Sequence, residues 1–163
     1  MVPPWAMKYL PLNLIGQTAE KWSLDPYLVA AIVWKESRGD QYACRYEPNW
    51  KWFNDVQTHA KNNKISRETE TRFQMTSWGL MQVMGATCRD LGFLKQLPKL
   101  SLPNVGLEYG CKYLSKQLKR YENKTTDAVS AYNMGTVSLD DNGDYVNKNY
   151  VRDVMQYYQE LTK

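Results

Sequence analysis

Asp25-Pro26-Tyr27-Leu28-Val29-Ala30-Ala31-Ile32-Val33-Trp34-Lys35-Glu36-Ser37-Arg38 is the stretch on which the fold turns. Asp25 supplies an N-cap oxygen and Pro26 suits the first helical turn. Tyr27 to Trp34 is then apolar on every face, the signature of a helix enclosed by other helices. It is too short to span a bilayer, so it predicts a buried core helix. Polarity returns at Lys35-Glu36-Ser37-Arg38, and Gly39 offers a stop. Glu36 thus stands where a buried helix emerges, a place where desolvation raises a carboxyl pKa. A carboxylic acid kept protonated near neutral pH can serve as a general acid. The plain alternative is a solvated last-turn Glu paired with Lys35 or Arg38.

Working outward, Pro11 to Trp22 predicts an amphipathic helix, with Leu12, Ile15, Ala19 and Trp22 at spacings of three and four. Beyond the central helix, Gln41 to Asp55 suggests short strands or an aromatic lobe. There Trp50, Trp52 and Phe53 serve either as a sugar-stacking wall or as the lobe's own small core, the second being the expectation. Ala60 to Thr71 predicts an exposed loop that runs into a short helix around Arg67 to Met75. Ser77 to Gly85 is a compact turn with two glycines, followed by a helix over Ala86 to Leu91 that Gly92 ends. Pro103 to Tyr121 is the clearest amphipathic helix, its stripe formed by Leu107, Cys111, Leu114, Leu118 and Tyr121. Thr126 or Asp127 is expected to cap a helix through Met134, and Tyr150 to Leu161 predicts the last one. With no repeat and no linker, residues 1–163 read as a single, mostly α (α+β) domain with a small β/aromatic lobe.

Composition narrows the function. The chain has 163 residues, enough for a substantial core, and 43% hydrophobic with 23% charged residues is ordinary for a globular protein. A net charge of +4, mixed along the chain without a dense Lys/Arg stripe, argues against nucleic acid. A mild positive field suits an anionic polymer such as a bacterial wall. No segment is long enough to insert into a membrane. Cys44, Cys88 and Cys111 match no zinc or redox spacing, and His59 is the sole histidine, so neither metal nor cofactor is expected. The cysteines are expected to be small, buried and reduced, a Cys88–Cys111 disulfide staying open. Asp140 to Asp144 looks superficially like a calcium loop, but Val151 stands where the bidentate Glu would be, which leaves a solvated loop. Met1 to Met7 lacks a basic n-region and a continuous apolar core, so no signal peptide is expected there.

Glu36-Ser37, Gly79-Leu80-Met81-Gln82, Ala131-Tyr132-Asn133 and Tyr150-Val151, in this order, resemble the catalytic domain of soluble lytic transglycosylases. Those share the goose-type lysozyme fold, and the resemblance runs from about Leu14 to Tyr158. It implies a lysozyme-like helical domain with Glu36 as catalytic acid and base. It implies further that Ser37, Met81, Gln82, Tyr132, Asn133 and Tyr150 contact or frame the substrate, a glycan strand of bacterial peptidoglycan. No cofactor or metal is implied. The insertion between Glu36 and Gly79 is longer and more aromatic than in compact bacterial members and looks more like that of phage-encoded relatives. With the missing signal peptide, this gives the expectation of a monomeric phage lysin or virion-associated enzyme acting on the wall in the periplasm, a bacterial enzyme with a trimmed leader being the alternative.

Two rivals remain at this level. A goose-type-like hydrolase would need a second carboxylate to activate water, with Asp40 and Glu47 as candidates. A non-catalytic wall-binding or virion module would keep the fold without the chemistry. Chitin is an alternative substrate.

Overall fold

The computed structural model describes residues 6–163. Met1 to Trp5, most of the stretch without signal-peptide character, lie outside the described residues. The architecture is mostly α and lysozyme-like, with a small three-stranded sheet. The chain divides into two compact units, residues 1–39 with 111–163, and residues 40–110.

In the first unit, α1 (Leu12–Lys21) and α2 (Pro26–Ser37) are followed in space by α7 (Thr125–Met134) and α8 (Lys148–Leu161). The Asp25 carboxylate accepts the Tyr27 amide at 2.8 Å, satisfying one of the donors that every helix start leaves unpaired. Leu28 to Trp34 are all at most 5% exposed, as a helix without a polar face requires. The helix ends with Arg38 in the left-handed region, and Gly39 follows at φ +83°. A Cβ on Gly39 would lie 2.6 Å from the Tyr9 carbonyl oxygen, so a side chain there would collide with backbone.

Helix α8 fastens α2 along its length. Lys35 Nζ pairs with Asp153 at 2.8 Å, Arg38 donates to the Tyr157 hydroxyl at 3.2 Å, and the Tyr158 hydroxyl donates to Asp25 at 2.7 Å. Arg38 also lies over the Trp34 and Tyr157 rings. In α1 the buried face is Ile15, Thr18 and Ala19, whereas Leu12 is exposed, a narrower stripe than the spacing predicts. Helix α7 starts at Thr125, so Thr126 and Asp127 do not cap it. Both stand in the first turn instead, where a carboxylate suits the helix dipole and Asp127 receives the Tyr145 hydroxyl.

The second unit holds β1 (Cys44–Tyr46), α3 (Val56–Asn63), α4 (Arg67–Gln74), β2 (Thr76–Trp78), β3 (Val83–Met84) and α5 (Gly85–Asp90). Helix α6 (Pro103–Arg120) begins in this unit and passes into the first after Gly110. The compact turn expected over Ser77 to Gly85 is a hairpin, β2 pairing antiparallel with β3 and, on its other edge, with β1. Gly79 is needed there: its φ is +69°, and a Cβ would meet the Leu100 carbonyl oxygen at 2.5 Å.

Three expectations need correction. The loop expected from Ala60 shrinks to residues 64–66, because α3 runs to Asn63, whereas the helix expected around Arg67 to Met75 is α4. Their buried positions are His59, Ala60, Glu70 and Gln74, so polar residues disguise the helical period. Trp52, 71% exposed, and Phe53, 44% exposed, are no core. Cys88 and Cys111 are buried thiols, but Cys44 is exposed, since every residue of edge strand β1 faces water.

Candidate active site

Glu36 sits in the last turn of α2, half-buried. The Tyr150 hydroxyl, from the first turn of α8, donates to its Oε1 at 2.6 Å. Tyr132 of α7 lies close enough for the Glu36 charge to act on its phenol. Tyr113 of α6 completes the group, its ring centroid 5.1 Å from that of Tyr132 at a tilt of 50°. Burial pushes the phenols of Tyr150 and Tyr132 well above the usual tyrosine range, and the Glu36 charge adds to the shift in both. Burial raises Tyr113 as well, partly offset by a bond to Gln117. All three therefore remain neutral hydroxyls at any physiological pH, and Tyr150 remains a donor to the carboxyl group.

Tyr113 was not singled out in the sequence. A signal exists: Gly106, Gly110, Tyr113 and Gln117 repeat at spacings of four, three and four, a second stripe on α6 beside the leucines. Gly106, Gly110 and Gln117 are buried and Tyr113 is half-buried.

Ser37 is buried and turned toward its own helix end. Its hydroxyl donates to the Val33 carbonyl at 3.2 Å and accepts the Gly39 amide at 3.2 Å. Asn133 is exposed at the end of α7. Asn147 spends both amide hydrogens locally, on the Ser130 carbonyl (3.1 Å) and on Asn133 Oδ1 (3.0 Å), while its Oδ1 accepts the Ser130 hydroxyl at 2.8 Å. That network fixes the Asn133 side-chain oxygen toward Asn147.

In the second unit, Met81 is fully buried, packed where Gly110 offers no side chain. Gln82, at φ +48°, donates to the carbonyls of Ala43 (2.8 Å) and Gly79 (2.9 Å) and accepts from the Ser77 hydroxyl (2.9 Å). Its amide thus ties the hairpin turn to the entry of β1, with one acceptor lone pair left over. The two candidate second carboxylates are engaged nearby: Asp40 accepts the Tyr42 amide at 2.9 Å, and Glu47 pairs with Arg45 at 2.6 Å.

The second unit also contains a buried ionic knot. Arg89 binds both carboxylate oxygens of Glu70 at 2.8 Å and donates to the Phe93 (2.7 Å) and Lys95 (2.8 Å) carbonyls. Gln74 donates to Glu70 at 2.9 Å and exchanges two bonds with the Asn54 backbone. Among the described residues, no three His, Cys, Asp or Glu side chains group as a metal cradle would require. Nor is any described helix long and apolar enough to cross a membrane.

A carboxyl group beside a neutral phenol, walled by two further tyrosines, can give up a proton and take one back. The family model described as "Transglycosylase SLT domain" matches residues 13–154, which include Glu36, Tyr113, Tyr132 and Tyr150. The chain belongs to this family, the transglycosylase SLT domains, and with it to the enzymes of lytic transglycosylation on peptidoglycan.

Proposed function

We propose that Glu36 is the single acid–base of a lytic transglycosylase reaction on the bond between N-acetylmuramic acid and N-acetylglucosamine. The Tyr150–Glu36 hydrogen bond of 2.6 Å is the observation that carries this reading. A hydroxyl that donates to a carboxyl oxygen orients the group for proton transfer. Glu36 protonates the glycosidic oxygen as the C1–O bond breaks, and the N-acetyl oxygen of the sugar steadies the oxocarbenium-like centre. The ionised Glu36 then takes the proton of the C6 hydroxyl, whose oxygen bonds to C1. A 1,6-anhydro ring forms, Glu36 regains its proton, and no water is consumed. General acid–base catalysis of this kind contributes about 10²–10⁴ in rate.

The remaining residues have supporting parts. Tyr150 aims the carboxyl group, and Tyr132 and Ser37 shape its surroundings. Asn133 offers its amino group to the N-acetyl oxygen. Met81 and Gln82 belong to the substrate wall, the buried thioether beneath and the amide holding the turn. The two units act as one catalytic domain, a reading supported by a family match that runs through both. The aromatic insertion between Glu36 and Gly79 supports assignment to a phage lysin or virion-associated enzyme. Digestion of purified peptidoglycan by wild type and by Glu36→Gln tests the central assignment. Loss of muropeptide release in a folded variant is the expected result; undiminished release would refute it.

A further inference from the structure

Residues 42–53 display an unusual amount of aromatic surface. Tyr42 is 73% exposed, Trp52 71%, Tyr46 48% and Phe53 44%. Single exposed apolar residues need no explanation, but a cluster of large ones marks a surface with a partner.

This cluster is held, not loose. The loop leaves β1 with the Glu47 amide on the Met75 carbonyl (2.8 Å) and turns where the Trp50 amide meets the Glu47 carbonyl (3.1 Å). It is recaptured at Asn54, whose backbone amide and carbonyl both bind the Gln74 side chain, at 2.8 and 2.7 Å. Gln74 is fixed in turn by Glu70, the acidic half of the buried ionic knot. Trp50 donates its indole hydrogen to the Trp52 carbonyl and meets the Trp52 ring edge-on at 5.3 Å. The rings are thus presented before any partner arrives, which lowers the ordering cost of binding.

The side-chain types indicate what the partner is. Tyrosine and tryptophan offer flat faces with polar tips, suited to the C–H face of a pyranose whose hydroxyls stay wet. Lys51, exposed, adds positive charge in the same stretch, whereas the Arg45 charge is met by Glu47; the carboxylates of a peptidoglycan strand match that lysine. A membrane surface would also accept Trp, Tyr and Lys. Yet residues 42–53 contain no Leu, Ile, Val or Met to enter acyl chains. The base of the cluster is tied to the hairpin turn, since Gln82 binds the carbonyl of Ala43, the chain neighbour of Tyr42.

We propose that Tyr42, Tyr46, Trp52 and Phe53, braced by Trp50, form a glycan-stacking platform that grips peptidoglycan. The proposal rests on the peptidoglycan reading above.

The test uses the full chain carrying Glu36→Gln, sedimented with purified insoluble sacculi. Adding Trp52→Ala should weaken binding about tenfold, the scale of one lost aromatic contact, and Trp52→Phe should recover most of it. Leu94→Ala, at a position 70% exposed in the same unit but outside the platform, serves as the control and should bind like its parent. In the active enzyme, Trp52→Ala should raise KM on sacculi far more than it lowers kcat. Unchanged binding by Trp52→Ala overturns the platform, as does a parent that fails to sediment with sacculi. Trp52-dependent binding to phosphatidylglycerol vesicles, with none to sacculi, overturns it in favour of a membrane surface. If Glu36→Gln still releases muropeptides, the assignment of Glu36 fails, and the sedimentation result still decides the platform.

Discussion

Glu70 is wholly withdrawn from water, with Arg89 on both carboxylate oxygens and Gln74 on one of them. Glu36 is half-buried and accepts the hydroxyl of Tyr150 among tyrosines. The two residues are chemically identical, and the proposed function sets them to different work. A carboxylate in a bidentate pair with a guanidinium is a permanent counter-ion, and its value lies in the backbone it organises. A carboxyl group beside neutral hydroxyls can exchange a proton, and its value lies in what it does to a ligand. Substitution should therefore separate the two: one should govern activity without stability, the other stability before activity.

The largest expected effect is on catalysis. Glu36→Gln should lower muropeptide release by about 10²–10⁴, with the melting temperature nearly unchanged. A collapse in Tm would place Glu36 with Glu70 as a structural group and break the contrast. Glu70→Gln should do the reverse. Leaving Arg89 buried without its counter-charge costs about 3–5 kcal/mol, a fall in Tm of roughly 10 °C for a chain of this size. Turnover per folded molecule, measured well below the melt, should stay close to wild type.

Tyr150→Phe sharpens the comparison by removing only the donor. A hydrogen bond to a charged group contributes about 1.5–3 kcal/mol, so kcat should fall roughly ten- to a hundredfold while KM changes little. Wild-type turnover would reduce Tyr150 to packing.

The smallest effect belongs to the knot's histidine. His59 is buried against Asn54 at 2.9 Å, and burial, then the Arg89 charge, lowers its pKa, opposed by Glu70 and Asp55. Below about pH 6.5 the unfolded chain then binds more protons than the folded one, so stability declines as the solution is acidified. His59→Gln should flatten the difference in Tm between about pH 7 and about pH 5, and an unaltered slope would locate the acid sensitivity elsewhere.

The same contrast explains how much the amino-acid sequence discloses. Helix α2 is legible because its long buried run, Leu28 to Trp34, is wholly apolar and Asp25-Pro26 marks its start. The leucine stripe of α6 is legible for the same reason. Helix α3 is not, because it buries His59 beside Ala60, and the face it shares with α4 is completed by Glu70 and Gln74, polar as well. A polar residue announces burial only once its partner is known, and Arg89 lies far along the chain. Gln82 hides its role in another way, since its amide bonds depend on a positive φ that composition does not reveal. Aromatic content likewise could not say whether Trp52 faces inward or outward.

The most direct test of Glu36 as the single acid–base is the mass of the disaccharide released from purified peptidoglycan by wild type. A product one water lighter than the hydrolytic disaccharide and inert to borohydride is expected, because the C6 hydroxyl closes on C1. A borohydride-reducible product at the full hydrolytic mass would mean that water is activated by a second group, and the mechanism proposed for Glu36 would be wrong.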